Sequence, residues 1–453
     1  MIHAYQLNGY NIALDSNSGA VHLLDDTAYD CLALIDGDDF SPECPGHILQ
    51  ALAEQYAPEV IKEAYSDLFA LYEAKTLFSE DTYAPFAEAM GPAPVKSMCL
   101  NVAHDCNLRC EYCFASQGDF GRGKKLMPFA VGRAAIDFMV KNSFGRRNLE
   151  VDFFGGEPLM NFGVVKRIVD YARSIEKEHK KNFRFTITTN GVLLNDAIID
   201  YINKEMVNVV LSLDGRRDVN DNMRPSVNGK GSYDVIVPKY QSLVARRGGK
   251  QYYLRGTFTK ENLDFSKDIL HIYEDLGFDQ VSVEPAVLAE DVPFSLRDED
   301  FDAIAAEYER LADIVIAKKK AGEKLNFFHF QMELDGGPCA IKRLRGCSCG
   351  NEYVAVTPEG DIYPCHQFVG EDEWKMGNVL DGTLNAEMKQ EFAKATVYSK
   401  QDCKNCWAKF YCSGGCNANN HQFNRSIYKP HRLSCELEKK RVECAIMIKV
   451  ALL

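Results

Sequence analysis

The sequence predicts an α/β protein built on a parallel sheet, with a small α+β unit before it and a cysteine-rich third after it. Three observations carry that prediction. From 97 to 321, strand-like runs alternate with amphipathic helical segments, and such alternation implies parallel strands joined by helical crossovers. Residues 1–80 hold short strand-like runs followed by helical patterns. Beyond 321, cysteines recur at close spacing.

Bulk properties narrow the function classes. The 453 residues are 46% hydrophobic and 26% charged, the balance of a soluble globular chain with roughly two to four domains. A formal charge of −13 argues against a general binder of phosphate backbones. Residues 1–6 lack the basic and apolar regions of a signal peptide, and the apolar run at 444–453 is too short for a membrane helix. The expectation is a cytoplasmic protein that uses neither nucleic acid nor membrane as a partner. Sixteen cysteines in such a chain point to metal or redox chemistry rather than disulfides.

Taken in order, the first unit has predicted strands at 3–8, 10–14 and 20–24, with hairpin turn chemistry between Asp15 and Gly19. Asp26 or Thr27 is positioned to cap a helix, and helical patterns follow near 45–57 and 58–78. Three strands and three helices make a winged-helix-like arrangement, serving either as a structural cap or as a binding domain. Pro85, Gly91, Pro92 and Pro94 mark 81–96 as a linker. Predicted strands then fall at 97–103, 149–154, 183–189, 207–213, 252–258 and 281–287.

The first predicted barrel strand runs into Cys106-Asn-Leu-Arg-Cys110-Glu-Tyr-Cys113. Three thiolates hold three corners of a [4Fe–4S] cube and leave one iron without a protein ligand. An open metal position is where a small molecule binds and reacts. A zinc knuckle or incidental cysteines are the alternatives, although this spacing is uncommon for zinc. The second strand ends in Gly155-Gly156-Glu157-Pro158, where exposed backbone beside a carboxylate suits an ammonium group. The third ends in Thr189-Asn190-Gly191, and the fourth carries Ser212 before Asp214-Gly215; each alone is also ordinary turn chemistry. Asn228-Gly-Lys-Gly231 lacks the spacing of a phosphate loop and reads as a plain loop.

On these motifs the chain resembles the radical S-adenosylmethionine (SAM) superfamily. The resemblance implies a partial (β/α)6 barrel over 97–321 with functional residues at the C-terminal ends of its strands. It implies that Cys106, Cys110 and Cys113 form the catalytic centre, whose free iron chelates SAM and whose electron cleaves it to a 5′-deoxyadenosyl radical. By the same resemblance Gly155, Gly156, Glu157 and Pro158 meet the SAM amine, and Thr189 and Asn190 meet the ribose. Ser212 and Asp214 are assigned to ribose or carboxylate, Arg224 to the SAM carboxylate, and Tyr112 to the neighbourhood of the adenine.

The last third carries Cys347-Ser-Cys349-Gly350, a hairpin-like stretch ending in Cys365, then Cys403-x2-Cys406-x5-Cys412-x3-Cys416, and finally Cys435. A zinc ribbon would need four or eight ligands. The order resembles the SPASM domain, placed at 347–453 behind a bridging segment at 322–346. That resemblance assigns Cys403, Cys406, Cys412 and Cys435 to a distal auxiliary cluster. It assigns Cys347, Cys365 and Cys416 to a second one with an iron open to a substrate thiolate, giving three [4Fe–4S] clusters in all. Cys339 and Cys349 are candidates for a fourth ligand there. Cys349 is expected to stay out, because a one-residue separation from Cys347 strains joint ligation. Cys31, Cys44, Cys99 and Cys444 are expected to be buried small hydrophobes.

Over the whole chain the resemblance is closest to the SCIFF maturases. It implies an oxidoreductase that forms thioether crosslinks between cysteine thiols and backbone-proximal carbons in a ribosomal Cys-rich precursor peptide. The 1–80 unit would then be like a RiPP recognition element, binding the leader peptide as an added edge strand, and a flavodoxin- or ferredoxin-type protein would donate electrons. An anaerobic sulfatase-type maturase, oxidising Cys or Ser to formylglycine, is the alternative enzyme. An iron–sulfur electron-transfer protein is the non-enzymatic one, and it would not require the Gly-Gly-Glu-Pro turn.

Overall fold

The computed structural model describes residues 1–289, 291–334 and 340–453; Cys339 lies outside the described residues. Strands β1 (Ile2–Leu7), β2 (Tyr10–Asp15) and β3 (Val21–Leu24) form an antiparallel meander in that order. Helices Asp26–Leu32, Gly46–Leu52 and Pro58–Glu73 follow. The first is capped by Asp25, whose side chain accepts from the Ala28 amide, and Asp26 takes the favourable place of an acid in the first turn. Phe40 sits edge-on to Tyr65 and Phe69 in a core shared with Ile48, Ile61 and Leu68.

The main sheet contains β4 (Ser97–His104), β5 (Lys125–Leu126), β6 (Asn148–Gly155), β7 (Asn182–Thr189), β8 (Met206–Ser212), β9 (Tyr253–Phe258), β10 (Gln280–Pro285) and β11 (Asn326–Phe327). β4 and β6 to β10 pair in parallel, each with its successor. β5 pairs antiparallel with β4. Helices Phe129–Asn142 and Phe162–His179 cross between strands. Along β6, Leu149, Val151 and Phe153 are buried with Val165 and Ile168, the period-two pattern of a strand under a helix. Parallel β/α alternation is therefore present as the sequence predicts, as an open sheet that does not end with the sixth strand.

It continues at both edges. β11 adds to β10 in parallel. On the other side β12 (Tyr353–Val356) pairs in parallel with β4, and β13 (Asp361–Tyr363) pairs antiparallel with β12. The cysteine-rich third is thus joined to the β/α part by backbone hydrogen bonds, which no periodicity in the sequence announces.

The segment read as a linker is held firmly. Asp81 accepts from Lys409 Nζ at 2.6 Å, Tyr83 lies edge-on to Phe410, and the Ala93 amide donates to Asn351 Oδ1 at 2.8 Å. The N-terminal unit docks on the long C-terminal helix Arg432–Val450. His3 meets Glu443 at 2.9 Å and stacks on Trp407 with ring centroids 3.7 Å apart, and the Tyr5 hydroxyl donates to the Glu443 carbonyl at 3.0 Å.

Burial pushes the Glu443 carboxyl up, but hydrogen bonds from His3 and Lys440 outweigh it and leave the pKa below the usual value. A lowered folded pKa contributes stability above the unfolded value of about 4.3 and loses it as pH falls. Glu443→Gln should therefore cost about 1–2 kcal/mol at neutral pH, with the difference shrinking toward pH 4. Chemical denaturation at several pH values checks this; a cost independent of pH would contradict it.

Candidate active site and cluster sites

The Cys106–Cys113 loop leaves the C-terminal end of β4 and is clamped by backbone to the segment after helix Arg217–Met223. The Arg109 amide donates to the Pro225 carbonyl at 2.7 Å, and the Glu111 amide to Met223 at 3.0 Å. Cys106, Cys110 and Cys113 are free thiols, and they lie close enough to influence one another's ionisation. Cys106 Sγ also accepts from the Leu108 amide at 3.4 Å and from Asn190 Nδ2 at 3.6 Å.

The glycines beside this loop have a steric reason. Gly155 has φ of 136°, and a Cβ there would sit 2.3 Å from the Ala103 carbonyl oxygen. A Cβ on Gly156 would meet the Asp105 oxygen at 2.2 Å. Gly118, which the sequence reading passed over, would place a Cβ 2.6 Å from that of Cys106. Three backbones therefore run in contact around the cysteine loop.

Glu157 is 1% exposed. Its Oε1 accepts from the Leu159 amide at 3.0 Å and the Thr189 hydroxyl at 2.8 Å, while Oε2 accepts from the Asn190 amide at 2.8 Å. Burial pushes its pKa up to about 7 against the pull of those donors. The carboxylate expected to face an ammonium group is mainly a tie between the ends of β6 and β7. A carboxylate has about four acceptor positions, so little capacity remains for a ligand.

Tyr112, Asp214 and Arg224 form one buried network. The Tyr112 hydroxyl donates to both Asp214 oxygens at 2.8 and 2.7 Å, and Arg224 Nη1 donates to the Tyr112 oxygen at 2.6 Å. The Thr257 amide donates to Asp214 Oδ1 at 3.0 Å. The expectation that these residues act separately on adenine, ribose and carboxylate is thus met by residues already engaged with each other. Arg224 Nε, however, is buried without a hydrogen-bond partner, and Arg224 is among the residues that line the cavity. An orphaned guanidinium N–H is suited to a carboxylate ligand.

That cavity has a volume of about 260 Å³ and also touches Ser212, Gln367 and Gln422. Phe114, Phe154 and His366 close one side, with His366 5.3 and 5.0 Å from the two phenyl centroids. Burial lowers the His366 pKa to about 4, so its imidazole is neutral at pH 7.

The C-terminal cysteines fall into two groups. Cys403, Cys406, Cys412 and Cys435 are neighbours, and burial pushes the Cys403, Cys412 and Cys435 thiols up to about 12. Cys412 Sγ accepts from the Gly414 and Gly415 amides. The other group is Cys347, Cys349, Cys365 and Cys416. The Cys349 thiol hydrogen-bonds with those of Cys347 and Cys365 and lies close to Cys416, and it accepts from Asn417 Nδ2 at 3.4 Å. This corrects the premise that excluded Cys349. Ser348 has φ of 56° and Gly350 φ of 70°, so the chain curls and two thiols one residue apart converge. Of the four other cysteines among the described residues, Cys31, Cys99 and Cys444 are buried, whereas Cys44 is half-buried.

Grouped free thiols are the donor set an iron–sulfur cluster needs, and thiols pushed up by burial, such as Cys403, Cys412 and Cys435, must give up protons when metal binds. The glycine-lined backbone and the orphaned Arg224 Nε fit SAM. Arg224→Met, which leaves Asp214 buried without its cation, should destabilise the protein by about 3–5 kcal/mol. Denaturation followed by circular dichroism reads this; an unchanged midpoint would show that Tyr112 and Thr257 suffice.

Comparison with known proteins agrees with this geometry. Residues 95–238 match the 4Fe-4S single cluster domain, and 347–407 match SPASM, an iron–sulfur cluster-binding domain. A cysteine-type anaerobic sulfatase-maturating enzyme of Clostridium novyi is 24% identical, covering 70% of this chain and 86% of its own. The subtilosin biosynthesis protein AlbA of Bacillus subtilis is 24% identical, covering 89% of this chain and 86% of its own. Streptococcus suis SuiB, solved with S-adenosylmethionine and with its precursor peptide SuiA, shares the fold at a TM-score of 0.53. It is 17% identical, with 96% of this chain and 98% of that one covered. The chain has the fold of the SAM-bound maturase structures, carries a SPASM domain and matches a 4Fe-4S single cluster domain, which indicates [4Fe–4S] clusters.

Proposed function

We propose that the protein forms thioether crosslinks in a Cys-rich precursor peptide in the cytoplasm. The observation that carries this reading is the single cavity bounded on one side by Cys106, Cys110 and Arg224 and on the other by His366, Gln367 and Gln422 of the cysteine-rich third. A peptide segment entering it meets both halves of the molecule at once. The likeness to SuiB and AlbA over nearly the whole chain, N-terminal unit included, supports it.

When bound, SAM and the three clusters supply hydrogen abstraction from carbon and an acceptor for the electron released. The chain's own residues prepare the site. Cys106, Cys110 and Cys113 would hold the catalytic cluster, and Arg224 would take the SAM carboxylate. Glu157 fixes Asn190 and Thr189 in place, and Ser212, at the end of β8, would meet the ribose. Phe114, Phe154 and the neutral His366 exclude water from the reacting carbon. Each crosslink removes one C–H and one S–H hydrogen from the peptide and adds one C–S bond.

The leader is assigned to β3. It pairs with β2 on one side only among the described residues, and Leu23 on it is exposed, as strand addition requires. Cys403, Cys406, Cys412 and Cys435 take the distal cluster. Cys406 and Cys435 line a wide surface cavity of about 1200 Å³, where a flavodoxin- or ferredoxin-type donor can approach. In place of an open iron we assign all four of Cys347, Cys349, Cys365 and Cys416 to the other auxiliary cluster. The substrate thiolate is then positioned by the cavity walls and not by iron.

That four-thiol set, together with the Clostridium novyi relative, also suits a second reading, oxidation of a Cys or Ser to formylglycine. Anaerobic incubation with SAM, a reductant and either a small Cys-rich precursor or a sulfatase-derived peptide separates the two by mass spectrometry. Loss of two hydrogens per crosslink with all sulfur retained is expected. Loss of the sulfur atom from a cysteine sulfatase peptide, or of two hydrogens from a serine one, with the Cys-rich precursor unchanged, would establish the second reading. In the same assay Cys106→Ala, Cys110→Ala and Cys113→Ala should each abolish 5′-deoxyadenosine formation, because three thiolates are the minimum for a cube with one free iron. Formation at the parental rate in the triple variant would contradict the assignment.

A further inference from the structure

Two lysines are buried in this protein, Lys400 and Lys409. Lys409 has a carboxylate partner in Asp81. Lys400 is 3% exposed, and no carboxylate lies within ion-pair distance of it among the described residues. Its Nζ donates to the Gly414 carbonyl at 2.7 Å and to Asn417 Oδ1 at 2.6 Å. Both partners are neutral. A buried ammonium without a counter-charge is costly, and burial lowers the Lys400 pKa, so an anion beside it is what would keep it charged.

The candidates surround it. Cys403 and Cys412 of one group and Cys347 and Cys349 of the other are the thiols that act on Lys400. The lysine therefore stands between the two auxiliary sites. Its acceptors lie on the path that joins them. Gly414 is inside Cys412-Ser-Gly-Gly-Cys416, whose ends belong to different groups. Ser413, Gly414 and Gly415 all have positive φ, and a Cβ on Gly414 would strike the Lys400 side chain at 2.9 Å. Asn417 takes the ammonium on its oxygen and gives its amide N–H to Cys349 Sγ at 3.4 Å. Ammonium, amide and sulfur form one polarised chain.

We propose that Lys400 is a built-in counter-ion of both auxiliary clusters, raising their reduction potentials, and that Asn417 adds a hydrogen bond to the cluster ligated by Cys349. This rests on the reading that the two thiol groups hold clusters. Reduction adds negative charge to a cluster. A fixed positive charge and an N–H···S bond both favour the reduced form, and these are among the levers that set such potentials. The consequence for function is direction. With Lys400 in place the auxiliary clusters are better acceptors of the electron that crosslinking releases.

The test is an EPR-monitored redox titration of the full-length, anaerobically reconstituted protein. All variants carry Cys106→Ala, Cys110→Ala and Cys113→Ala, so that only auxiliary clusters contribute. The cluster of Cys349 is assigned by the signal missing after Cys365→Ala. Lys400→Met should shift both midpoints to lower potential, Lys400→Arg should hold them at the parental values, and Asn417→Leu should lower the midpoint of the Cys349 cluster alone. Iron is counted on each protein. A parent holding well below about eight iron ions, four per cube, would overturn the two-cluster reading itself. Unmoved midpoints in fully loaded Lys400→Met would overturn the counter-ion role alone. If Lys400→Met does not load, Asn417→Leu decides, and an unmoved Cys349-cluster midpoint there overturns the proposal.

Discussion

Strand β4 is the element on which the rest of the structure depends. It is paired with β6 on one edge and with β12 on the other, and from Met98 to His104 every residue is buried. The loop carrying Cys106, Cys110 and Cys113 leaves its C-terminal end. Cys349 and Cys365 lie at the ends of the hairpin that β12 begins. Two sites that sequence places more than two hundred residues apart are thereby set in one hydrogen-bonded sheet. A one-residue slip of that pairing would turn every side chain to the opposite face, taking Tyr353 from His366, which it meets at 3.2 Å. The distance between the radical site and the auxiliary sites is a property of the sheet and not of a flexible hinge.

Around that frame the protein commits its buried polar groups to one another. Glu157 and Asp214 are almost fully buried; Glu157 is answered by three donors, and Asp214 by the Tyr112 hydroxyl, the Thr257 amide and the charge of Arg224. Such networks hold a site rigid because breaking one member leaves the others unpaired in a low-dielectric interior. They also limit what is left for a ligand. In the cavity beside Cys106 the free capacity is the backbone at Gly155 and Gly156, one guanidinium N–H of Arg224, and the thiols themselves.

Much of this was legible in the sequence, and the limits have physical causes. Six strands in β/α alternation were readable because short strand-like apolar runs alternate with amphipathic helical segments. The cysteine loop and the Gly-Gly-Glu-Pro turn were readable because their chemistry needs fixed residue types at fixed spacing. β12 joining β4 was not readable, since a four-residue strand paired over so long a loop leaves no local pattern. The convergence of the Cys347 and Cys349 thiols was not readable, because spacing carries no backbone conformation and a left-handed serine changes where neighbouring thiols point. Tyr112, Asp214 and Arg224 were found as a set of residues but not as a network, because their mutual contacts depend on the closing of the sheet. Lys400 has no sequence signature at all; only its burial beside two groups of thiols distinguishes it.

The central claim is that eleven cysteines form three cluster sites, of which only the one at the end of β4 leaves an iron open to SAM. Mössbauer spectroscopy of the ⁵⁷Fe-reconstituted protein, with and without SAM, tests it most directly. The account predicts about twelve iron ions per chain, four per cube. SAM should perturb one iron of one cluster and leave the other two clusters unchanged. A SAM-induced change that persists after Cys106→Ala, Cys110→Ala and Cys113→Ala are combined, or a second cluster that takes up an added thiolate, would contradict it.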